Sequence, residues 1–491
     1  MNTDNISIIV AFNKKFGIGK DGKLPWHIPE DLKRFRDLTK YGVCIMGHKT
    51  YLSIPEKYRP LRDRLNVVVT LMPWQYKSDA RVLYVTLEEL DGLHFNKNVF
   101  ICGGEFLYKK YMGIAKKVYA TVITDDAGKV ECDTFFPIEN FNQYEISEYS
   151  PQYDKYRFIT YTKMKVPHGE LAYLQLLRDV ESNGNYRPDR TGTGTTSMFA
   201  PDPLRFDISK SIPLYTTKFV PIKAIIKELL WFLRGETDSK ILEEQGVNIW
   251  KDNTSREFLD KRGLTHYIEG DLGPLYGVNF RAYNAEYHGC LKSYIGKGVD
   301  QIQNLITGLK EDPYSRRHLI TTFNPATVNQ CVLYPCHGIA IMFYVGGADG
   351  SSGADASGGA DASGGADGSS GADGSSGADA EKYLSCHVTI RSNDLLLGNP
   401  FNVASYAIFV YIIAKKVDMK PKDLIISIGD AHIYKTHKEA IELLLTRSAL
   451  PFPVLEVNDS IKDIDISDIK VEDFNLVGYL SHDSIKAPMA I

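Results

Sequence analysis

Residues 334–345 read Tyr-Pro-Cys-His-Gly-Ile-Ala-Ile-Met-Phe-Tyr-Val, which places Cys336 directly before a strand-like apolar run. A cysteine becomes a nucleophile as its thiolate, and nearby guanidinium groups favour that form. The chain supplies such groups in Arg190, the Arg316-Arg317 doublet and the Arg391-Ser392 pair. Because arginine forks match phosphate oxygens, the same set suits a phosphate dianion. These residues by themselves predict a thiolate nucleophile acting on a phosphate ester.

Composition narrows the class of protein. The 491 residues allow about three domains as a prior. Lys+Arg 57 against Asp+Glu 61 gives a net charge of -4, which argues against a nucleic-acid partner because such proteins carry a basic excess. Seven cysteines without a Cys-x-x-Cys pair or zinc-type spacing indicate reduced thiols, and no metal site is expected.

Targeting signals are not visible in the sequence. The first residues, 1–5, lack a basic region followed by an apolar core. The most apolar stretch, 401–414, is shorter than the roughly 20 residues needed to cross a bilayer and is interrupted by polar residues. We therefore expect a soluble cytoplasmic protein that has no membrane partner.

The first part of the chain, 1–165, alternates strand-like and helix-like segments. Pro29 followed by Glu30 and Asp31 predicts the start of a helix. Strands are predicted at 6–11, 43–46, 66–70 and 98–101, where apolar residues run together. Strands that alternate with helices predict an α/β domain.

A short break at Pro167-His168-Gly169 separates this part from residues 166–491. The apolar spacing after it predicts one helix from about Leu171 to Asn183-Gly184 and another with its apolar face over 222–233. Because the link is so short, the two domains are expected to lie side by side.

Residues 347–380 repeat Gly-Ala-Asp followed by three Gly, Ala or Ser residues. A segment with so little to bury is expected to be disordered. A calcium-binding β-roll is the alternative, although such rolls need a regular apolar residue beyond Ala. The insert lies between strand-like runs at 341–345 and 383–386, so we expect it to leave the fold at a surface turn, where loop closure costs little.

From about His168 to Ile491 the chain resembles thymidylate synthase. The ordered motifs that carry the resemblance are Arg190-Thr191-Gly192-Thr193-Gly194-Thr195, Thr216-Thr217-Lys218, Glu228-Leu229-Leu230-Trp231-Phe232, Gly273-Pro274-Leu275-Tyr276-Gly277, Ser315-Arg316-Arg317, Pro335-Cys336-His337, Arg391-Ser392-Asn393-Asp394, 400–406, 429–434 and 487–491. The resemblance implies an α+β domain that methylates dUMP to dTMP, with 5,10-methylenetetrahydrofolate as the carbon and hydride donor.

The resemblance also implies the site residues. Cys336 is the nucleophile, Glu228 orders the water used in proton transfers, and Tyr276 assists proton removal. The implied dUMP site consists of Arg190, Arg316, Arg317, His337, Arg391, Ser392, Asp394, Asn402, His432 and Tyr434. Trp250, Asp394 and Ile491 are implied to contact the folate. Arg316 and Arg317 are implied to come from the other subunit of a homodimer.

Asn402 bears on the choice of base. Its amide can donate to a carbonyl oxygen and accept from a ring N–H, which suits uracil. Three nearby residues depart from the family pattern. Ile390 stands where the family normally has Gln, and Asn393 and Asn399 are unusual in that stretch. A missing amide near the nucleophile is expected to leave a polar partner unpaired, at a cost of about 1–3 kcal/mol.

Residues 1–165 resemble dihydrofolate reductase, on the motifs Gly17-Ile18-Gly19, Leu24-Pro25-Trp26, Ile45-Met46-Gly47-His48-Lys49-Thr50, Ser53-Ile54, Arg59-Pro60-Leu61 and Cys102-Gly103-Gly104, with Asp31, Phe35, Arg64 and Thr121. The resemblance implies a mixed, mostly parallel sheet with flanking helices. Asp31 is the implied catalytic carboxylate for reducing dihydrofolate. The implied folate contacts are Trp26, Phe35, Arg64 and Thr121.

NADPH is the implied cofactor of this domain. Its implied contacts are Ala11, Ile18, Gly47, His48, Lys49, Thr50, Thr70, Gly103, Gly104 and Tyr108. Gly103 and Gly104 would let the backbone approach the pyrophosphate, and Lys49 and Thr50 are expected just before a helix. His48 and Lys49 bring positive character to the expected 2′-phosphate.

One half would yield dihydrofolate and the other would reduce it, a pairing that resembles the bifunctional enzymes of protists and plants. Three hypotheses stay open from the sequence. Both sites are active; or Ile390 impairs the synthase and the chain is mainly a reductase; or the chain is a nucleotide-binding scaffold without turnover.

Overall fold

This computed structural model describes residues 5–124, 131–188, 192–347 and 381–489. Arg190, Ile491 and residues 348–380 of the predicted insert lie outside the described residues. The described α-helices are α1 Pro29–Thr39, α2 His48–Ser53, α3 Leu87–Gly92, α4 Glu105–Met112, α5 Gly169–Asn183, α6 Ile222–Leu233, α7 Ser239–Glu244, α8 Arg256–Lys261, α9 Tyr276–Arg281, α10 Gln301–Glu311, α11 Gly398–Lys416 and α12 Lys438–Leu445.

The described strands are β1 Ile6–Asn13, β2 Gly17–Gly19, β3 Val43–Gly47, β4 Leu65–Val69, β5 Val82–Val85, β6 Val99–Ile101, β7 Lys117–Ile123, β8 Thr134–Phe135, β9 Tyr144–Tyr149, β10 Tyr156–Lys163, β11 Asn185–Arg187, β12 Thr195–Phe199, β13 Leu204–Asp207, β14 Leu319–Ile320, β15 Ala340–Gly346, β16 Tyr383–Asp394, β17 Lys420–Tyr434, β18 Val454–Val457 and β19 Phe474–Val477.

The first domain is built on an 8-stranded sheet in the order β5-β4-β3-β6-β1-β7-β10-β9. Strands β5 to β7 in this order are parallel, and β10 and β9 add antiparallel pairs at one edge. Strands buried on both faces read as continuous apolar runs, which is why the sequence predicted them. The mixed, mostly parallel sheet is confirmed. The strand predicted at 66–70 ends one residue earlier, at Val69, and the one predicted at 98–101 begins at Val99.

The predicted helices have simple local causes. Pro29 occupies the first turn of α1 and Glu30 and Asp31 follow it, where acidic groups complement the helix dipole. Helix α5 ends before Gly184, as predicted. The apolar face of α6 is buried in the larger core, which confirms the helix predicted over 222–233.

The second domain contains a 7-stranded sheet ordered β11-β12-β17-β16-β15-β14, with β13 also paired to β17. Strands β15 and β16, which contain the two strand-like runs predicted on either side of the insert, form an antiparallel hairpin whose pairing continues to Gly346 opposite Tyr383. Helix α11 is almost wholly buried and has no polar face, because it contributes to the centre of the core. The loop that contains Cys336 lies just before β15.

The two domains pack against each other through the β18–β19 hairpin. Leu450 and Leu480 of the second domain are buried in the apolar core of the first. The Cα of Gly478 is so close to β9 that a Cβ there would lie 2.5 Å from Ile146 Cδ1. Tyr149 Oη donates a 2.8 Å hydrogen bond to Glu456 Oε1 across this boundary. Among the described residues, no helix combines the length and apolarity that a membrane crossing requires.

Candidate active sites

Backbone and side-chain contacts hold the Cys336 loop from two sides. The backbone N–H of Cys336 donates to Tyr276 Oη at 3.0 Å, and the backbone N–H of Arg391 donates to Cys336 O at 2.8 Å. Arg391 Nη2 lies 3.4 Å from Cys336 Sγ, and its Nε donates to Pro335 O at 3.3 Å. Because Arg391 lies on β16, the sheet fixes a guanidinium beside the sulfur. A cation in this position favours the thiolate, as the sequence predicted.

An aromatic group supports the other side of this loop. The His337 ring is stacked on Tyr276 with centroids 4.3 Å apart, and its Nδ1 is 2.7 Å from Tyr406 Oη. Burial lowers the pKa of His337 to about 4, so the ring is neutral at physiological pH. Burial also raises the pKa of Tyr276 well above its ordinary value, so its hydroxyl keeps its proton. Both groups can therefore act as neutral hydrogen-bond partners.

Glu228 on α6 is a buried carboxyl whose pKa lies near neutral pH. Burial raises its pKa to about 7, while the hydrogen bond from Trp250 opposes the shift. That bond runs from Trp250 Nε1 to Glu228 Oε1 at 2.8 Å. A carboxyl with a pKa near the working pH can both take up and release a proton. The two predicted residues are thus brought together.

Asn402 lies on the second turn of α11 and is half-buried. Its Oδ1 accepts a 2.9 Å hydrogen bond from Asn393 Nδ2. Ser392, His432 and Tyr434 are carried by the parallel strands β16 and β17, in which Ser392 pairs with Asp430. The His432 and Tyr434 rings are 5.2 Å apart. The sheet thereby places these predicted nucleotide contacts on neighbouring strand ends.

Ile390 is wholly buried in the apolar core of the second domain. It lies on β16 opposite Ile428 of β17. Its side chain fits the apolar surroundings, and Asn393 and Asn399 are hydrogen-bonded to each other rather than left without partners.

Sequence reasoning missed a buried cluster beside Asp394. Lys218 Nζ donates to Leu396 O, and burial lowers the pKa of Lys218 to about 8. His437 Nδ1 lies 3.7 Å from Asp394 Oδ1, and its Nε2 is 2.8 Å from Pro488 O near the end of the described chain. The Thr216-Thr217-Lys218 motif was the available signal, because a lysine in an otherwise apolar, threonine-rich stretch needs a buried partner.

Arg316 and Arg317 are exposed on the turn that leads into the edge strand β14. His318 O accepts from Phe343 N, and Leu319 pairs with Met342. This antiparallel register sets the two arginines level with the far end of β15, whereas Cys336 precedes its start. Within one chain they are therefore distant from Cys336. Arg190 and Ile491 lie outside the described residues.

The first domain has a separate candidate site around Asp31 on α1. Thr121 Oγ1 on β7 donates a 2.5 Å hydrogen bond to Asp31 Oδ1. Burial raises the pKa of Asp31, while Thr121 and the charge of Arg34 act in the opposite direction. Arg34, which sequence reasoning missed, donates to Ala120 O at 2.8 Å and lies 4.5 Å from the Phe158 ring centroid.

The predicted folate contacts surround this carboxyl and the helix that carries it. Trp26 packs with an apolar group beside α1, and its indole N–H is buried without a partner among the described residues. Arg64 Nη1 donates to Thr39 Oγ1 at 2.5 Å, and its guanidinium lies 5.9 Å from the Phe35 ring centroid. A half-buried arginine beside an aromatic ring is suited to a carboxylate on a ligand.

At the carboxyl ends of the parallel strands β3 and β6, glycines leave the backbone uncovered by side chains of their own. Gly47 N donates to Gly103 O at 2.8 Å, and the Gly103-Gly104 peptide is cis. A Cβ on Gly103 would lie 3.3 Å from Thr50 Cγ2 and 3.4 Å from Tyr108 Oη. Crevices at the carboxyl ends of parallel strands are where dinucleotides bind. The missing side chains therefore fit the close approach of a dinucleotide.

Some details around this surface differ from expectation. Lys49 and Thr50 lie within α2, which begins at His48, and not before a helix. The apolar pattern did not reveal this short helix, because six residues give too few periods to read. Thr70 follows β4, and its N–H donates to Val85 O. Ala11 and Ile18 lie on β1 and β2.

Comparison with known proteins assigns a family to each part of the chain. The sequence model of the family described as Dihydrofolate reductase matches residues 5–165, and that of Thymidylate synthase matches residues 171–491. A bifunctional dihydrofolate reductase-thymidylate synthase of Zea mays is 35% identical over 544 residues, covering 99% of this chain and 97% of that protein.

Two further relatives have the same arrangement. Bifunctional dihydrofolate reductase-thymidylate synthase 1 of Arabidopsis thaliana is 35% identical, covering 99% of this chain and 96% of that protein. A Paramecium tetraurelia relative of the same description is 34% identical, covering 99% and 98%. The chain is therefore an enzyme in which a reductase domain precedes a synthase domain. It belongs to the bifunctional dihydrofolate reductase-thymidylate synthase family.

Proposed function

We propose that Cys336 and Asp31 are the catalytic residues of the two reactions, with the domains divided at residues 165 and 166. The enzyme methylates dUMP to dTMP with 5,10-methylenetetrahydrofolate. It then uses NADPH to reduce the dihydrofolate that this reaction produces. The observation that carries the synthase assignment is the 3.4 Å contact between Arg391 Nη2 and Cys336 Sγ. This contact supplies the cation that a thiolate nucleophile needs.

In the synthase reaction, Cys336 Sγ attacks carbon 6 of the uracil ring as a thiolate. The electron pair moves toward carbon 5, which then bonds to the methylene carbon of the folate. Loss of the carbon 5 proton and hydride transfer from the folate complete dTMP, release Cys336 and leave dihydrofolate. Glu228, whose pKa burial raises to about 7, moves protons through ordered water. Tyr276 assists removal of the carbon 5 proton.

Binding of dUMP would use groups on several elements. Arg391 and Ser392 on β16, together with Arg190, hold the phosphate. His337 lines the nucleotide pocket, and His432 and Tyr434 bind the sugar hydroxyl. Asn402 reads the base edge, since its amide offers one donor and one acceptor. Trp250, Asp394 and Ile491 contact the folate.

In the reductase reaction, Asp31 pairs with the protonated edge of the pterin and supports protonation at N5. Burial raises the pKa of Asp31 above its ordinary value, which is the direction that favours the carboxyl holding a proton. Trp26, Phe35 and Thr121 enclose the ring system, and Arg64 receives the glutamate carboxylate. NADPH, when bound, supplies the hydride. Gly47, Gly103, Gly104, Thr50 and Tyr108 would hold it at the strand edge, with Ala11, Ile18, His48, Lys49 and Thr70 around it.

A homodimer would complete the synthase site. Arg316 and Arg317 are exposed and distant from Cys336 of their own chain, so we propose that they bind the phosphate in the partner's site. Leu319, Met342 and Tyr344, on the same face of β14 and β15, are also exposed. A second copy packed on this apolar sheet face would cover them and carry the arginines across the two-fold axis.

A cytoplasmic location is proposed as well. All seven cysteines lie in the described part of the chain and none is in a disulfide, which suits a reducing compartment.

Trapping the covalent intermediate tests the synthase assignment directly. The enzyme is incubated with 5-fluoro-dUMP and 5,10-methylenetetrahydrofolate, digested and examined by mass spectrometry. We expect the nucleotide on the peptide that contains Cys336. An adduct on any of the other six cysteines, or on another residue, would refute the assignment.

A further inference from the structure

A chain of buried side-chain hydrogen bonds ends at Asn402. Tyr215 Oη donates to Asn399 Oδ1 at 2.9 Å, Asn399 Nδ2 donates to Asn393 Oδ1 at 2.7 Å, and Asn393 Nδ2 donates to Asn402 Oδ1 at 2.9 Å. Tyr215 is 1% exposed, Asn393 2% and Asn399 0%. We call these three residues the amide relay. Buried amides with both ends occupied have a defined orientation.

Tyr215 sets the direction of the relay. Its hydroxyl is buried, and burial raises its pKa well above the ordinary value, so it always has a proton to donate. Among the described residues, Asn399 Oδ1 is the hydrogen-bond partner of this hydroxyl. Turning the Asn399 amide over would leave the hydroxyl proton without an acceptor, which costs about 1–3 kcal/mol. Asn399 therefore presents its oxygen to Tyr215 and its NH2 group to Asn393.

The same logic passes along the relay to Asn402. Asn393 must accept from Asn399, so it offers its NH2 group to Asn402. Asn402 accepts this hydrogen bond with Oδ1, because an Nδ2 in that place would put two hydrogen-bond donors face to face. The relay thus fixes the orientation of the Asn402 amide. The Nδ2 hydrogens and the second lone pair of Oδ1, which remain available to a ligand, therefore have fixed positions relative to each other.

This fixed order matches one pyrimidine edge and not the other. Uracil presents an acceptor at O4 and a donor at N3, whereas cytosine presents a donor at N4 and an acceptor at N3. An Asn402 amide that could turn over would satisfy either base. We propose that Asn393, Asn399 and Tyr215 are positioning residues that hold the Asn402 amide in one orientation and so make the synthase site prefer uracil to cytosine. This inference rests on the proposed contact between Asn402 and the base.

The test measures the ratio of the dCMP and dUMP dissociation constants by titration calorimetry on the full chain at pH 8.5. Asn393→Asp has no donor at that position as a carboxylate, so Asn402 must turn its Nδ2 toward it. We expect the ratio to fall by about tenfold or more, the effect of one well-made hydrogen bond. Tyr215→Phe removes the hydroxyl donor that orients the Asn399 amide, so the relay can adopt either direction. We expect this variant to lower the ratio of dissociation constants by a smaller factor, about threefold.

Tyr173→Phe is the matched control. Tyr173 is wholly buried, its ring is stacked 4.2 Å from that of Tyr215, and its hydroxyl donates to Leu395 O, outside the relay. We expect this variant to keep the parent ratio. Reductase activity of each variant, measured on the same sample, shows that the chain is folded.

Two outcomes overturn the inference. If Asn393→Asp and Tyr215→Phe both weaken dUMP binding but leave the ratio unchanged, the relay is merely structural. Asn402→Asp separates this result from a failure of the proposed function, because it must lower the ratio if Asn402 reads the base. If Asn402→Asp leaves the ratio unchanged, the base contact itself is wrong and the inference falls with it.

Discussion

At the scale of single residues, the proposed nucleophile of the synthase is one sulfur whose surroundings come from distant parts of the chain. Tyr276, at the start of α9, receives the Cys336 N–H, and Arg391, on β16, lies against the Sγ. The proposed catalytic carboxyl of the reductase, that of Asp31, lies in the other domain. A change at one centre should therefore leave the other intact.

Substitution of the nucleophile tests this independence. We predict that Cys336→Ser abolishes dTMP formation, because a hydroxyl is far less acidic than a thiol and the Arg391 cation cannot ionise it. NADPH oxidation with dihydrofolate should stay within about twofold of the parent. Tritium release from 5-tritiated dUMP and absorbance at 340 nm follow the two reactions. A parallel loss of both activities in a folded protein would contradict two independent sites.

We expect Glu228 to give the synthase reaction a pH dependence. Its pKa rises from an ordinary 4.5 to about 7, so the carboxyl is mostly protonated below neutral pH and ionised above it. We predict that kcat for methylation rises as pH increases through about 7, as the carboxylate becomes available to accept protons. Glu228→Gln should lower kcat about 100-fold and flatten this limb of the profile. A profile in the variant that keeps the same inflection would assign the titration to another group.

At the scale of secondary-structure elements, the β15–β16 hairpin carries the repeat insert. Its pairing is regular from Ala340 opposite Thr389 to Gly346 opposite Tyr383, so the hairpin is complete without the residues between. The Cys336 loop precedes β15 and Arg391 lies near the far end of β16, both distant from the insertion point.

Replacing residues 348–380 with a short Asn-Gly turn should therefore have little effect. We predict a change in Tm of less than about 2 °C and unchanged dTMP formation, because long surface loops add only slowly growing closure entropy. Differential scanning calorimetry gives the first value and a tritium-release assay the second. A fall of many degrees would mean that the insert packs on the fold.

The elements themselves were predictable where the signal is local. Pro29 and the acids after it fixed the start of α1, and the apolar spacing over 222–233 gave α6. The short α2 was missed, because six residues carry no readable period. Among the candidate site residues, Cys336 and Glu228 were named from motifs. The amide relay did not, since Tyr215 and Asn399 are 184 positions apart and only the tertiary fold joins them.

At the scale of the whole molecule, activity of the synthase should depend on two chains. We predict that Arg317→Ala and Cys336→Ser are each inactive in methylation but regain up to about a quarter of parental activity when unfolded and refolded together. Mixed dimers then contain one site with neither defect. The mixture is compared with each variant refolded alone. No recovery, with dimers formed normally, would place Arg317 in the site of its own chain.

Packing between the domains should contribute to stability. Gly478 has φ +73°, and a Cβ on it would lie 2.5 Å from Ile146 Cδ1. We predict that Gly478→Ala lowers the free energy of unfolding by about 3 kcal/mol, through overpacking in addition to left-handed strain. Gly246→Ala is the control, because Gly246 has φ +79° but no described atom within 4 Å of a Cβ. If urea denaturation shows that both variants lose the same free energy of unfolding, packing at the domain interface does not contribute to stability.

Leu450 and Leu480 reach into the core of the reductase domain, and this has an evolutionary consequence. A gene broken near codon 165 would encode a reductase domain whose core lacks Leu450 and Leu480. The surface that β18 and β19 had covered would then be an exposed apolar patch. Aggregation would penalise such a product at once, unless several polar replacements arose together. Fusion of the two genes was therefore a step that selection can easily keep and can hardly reverse.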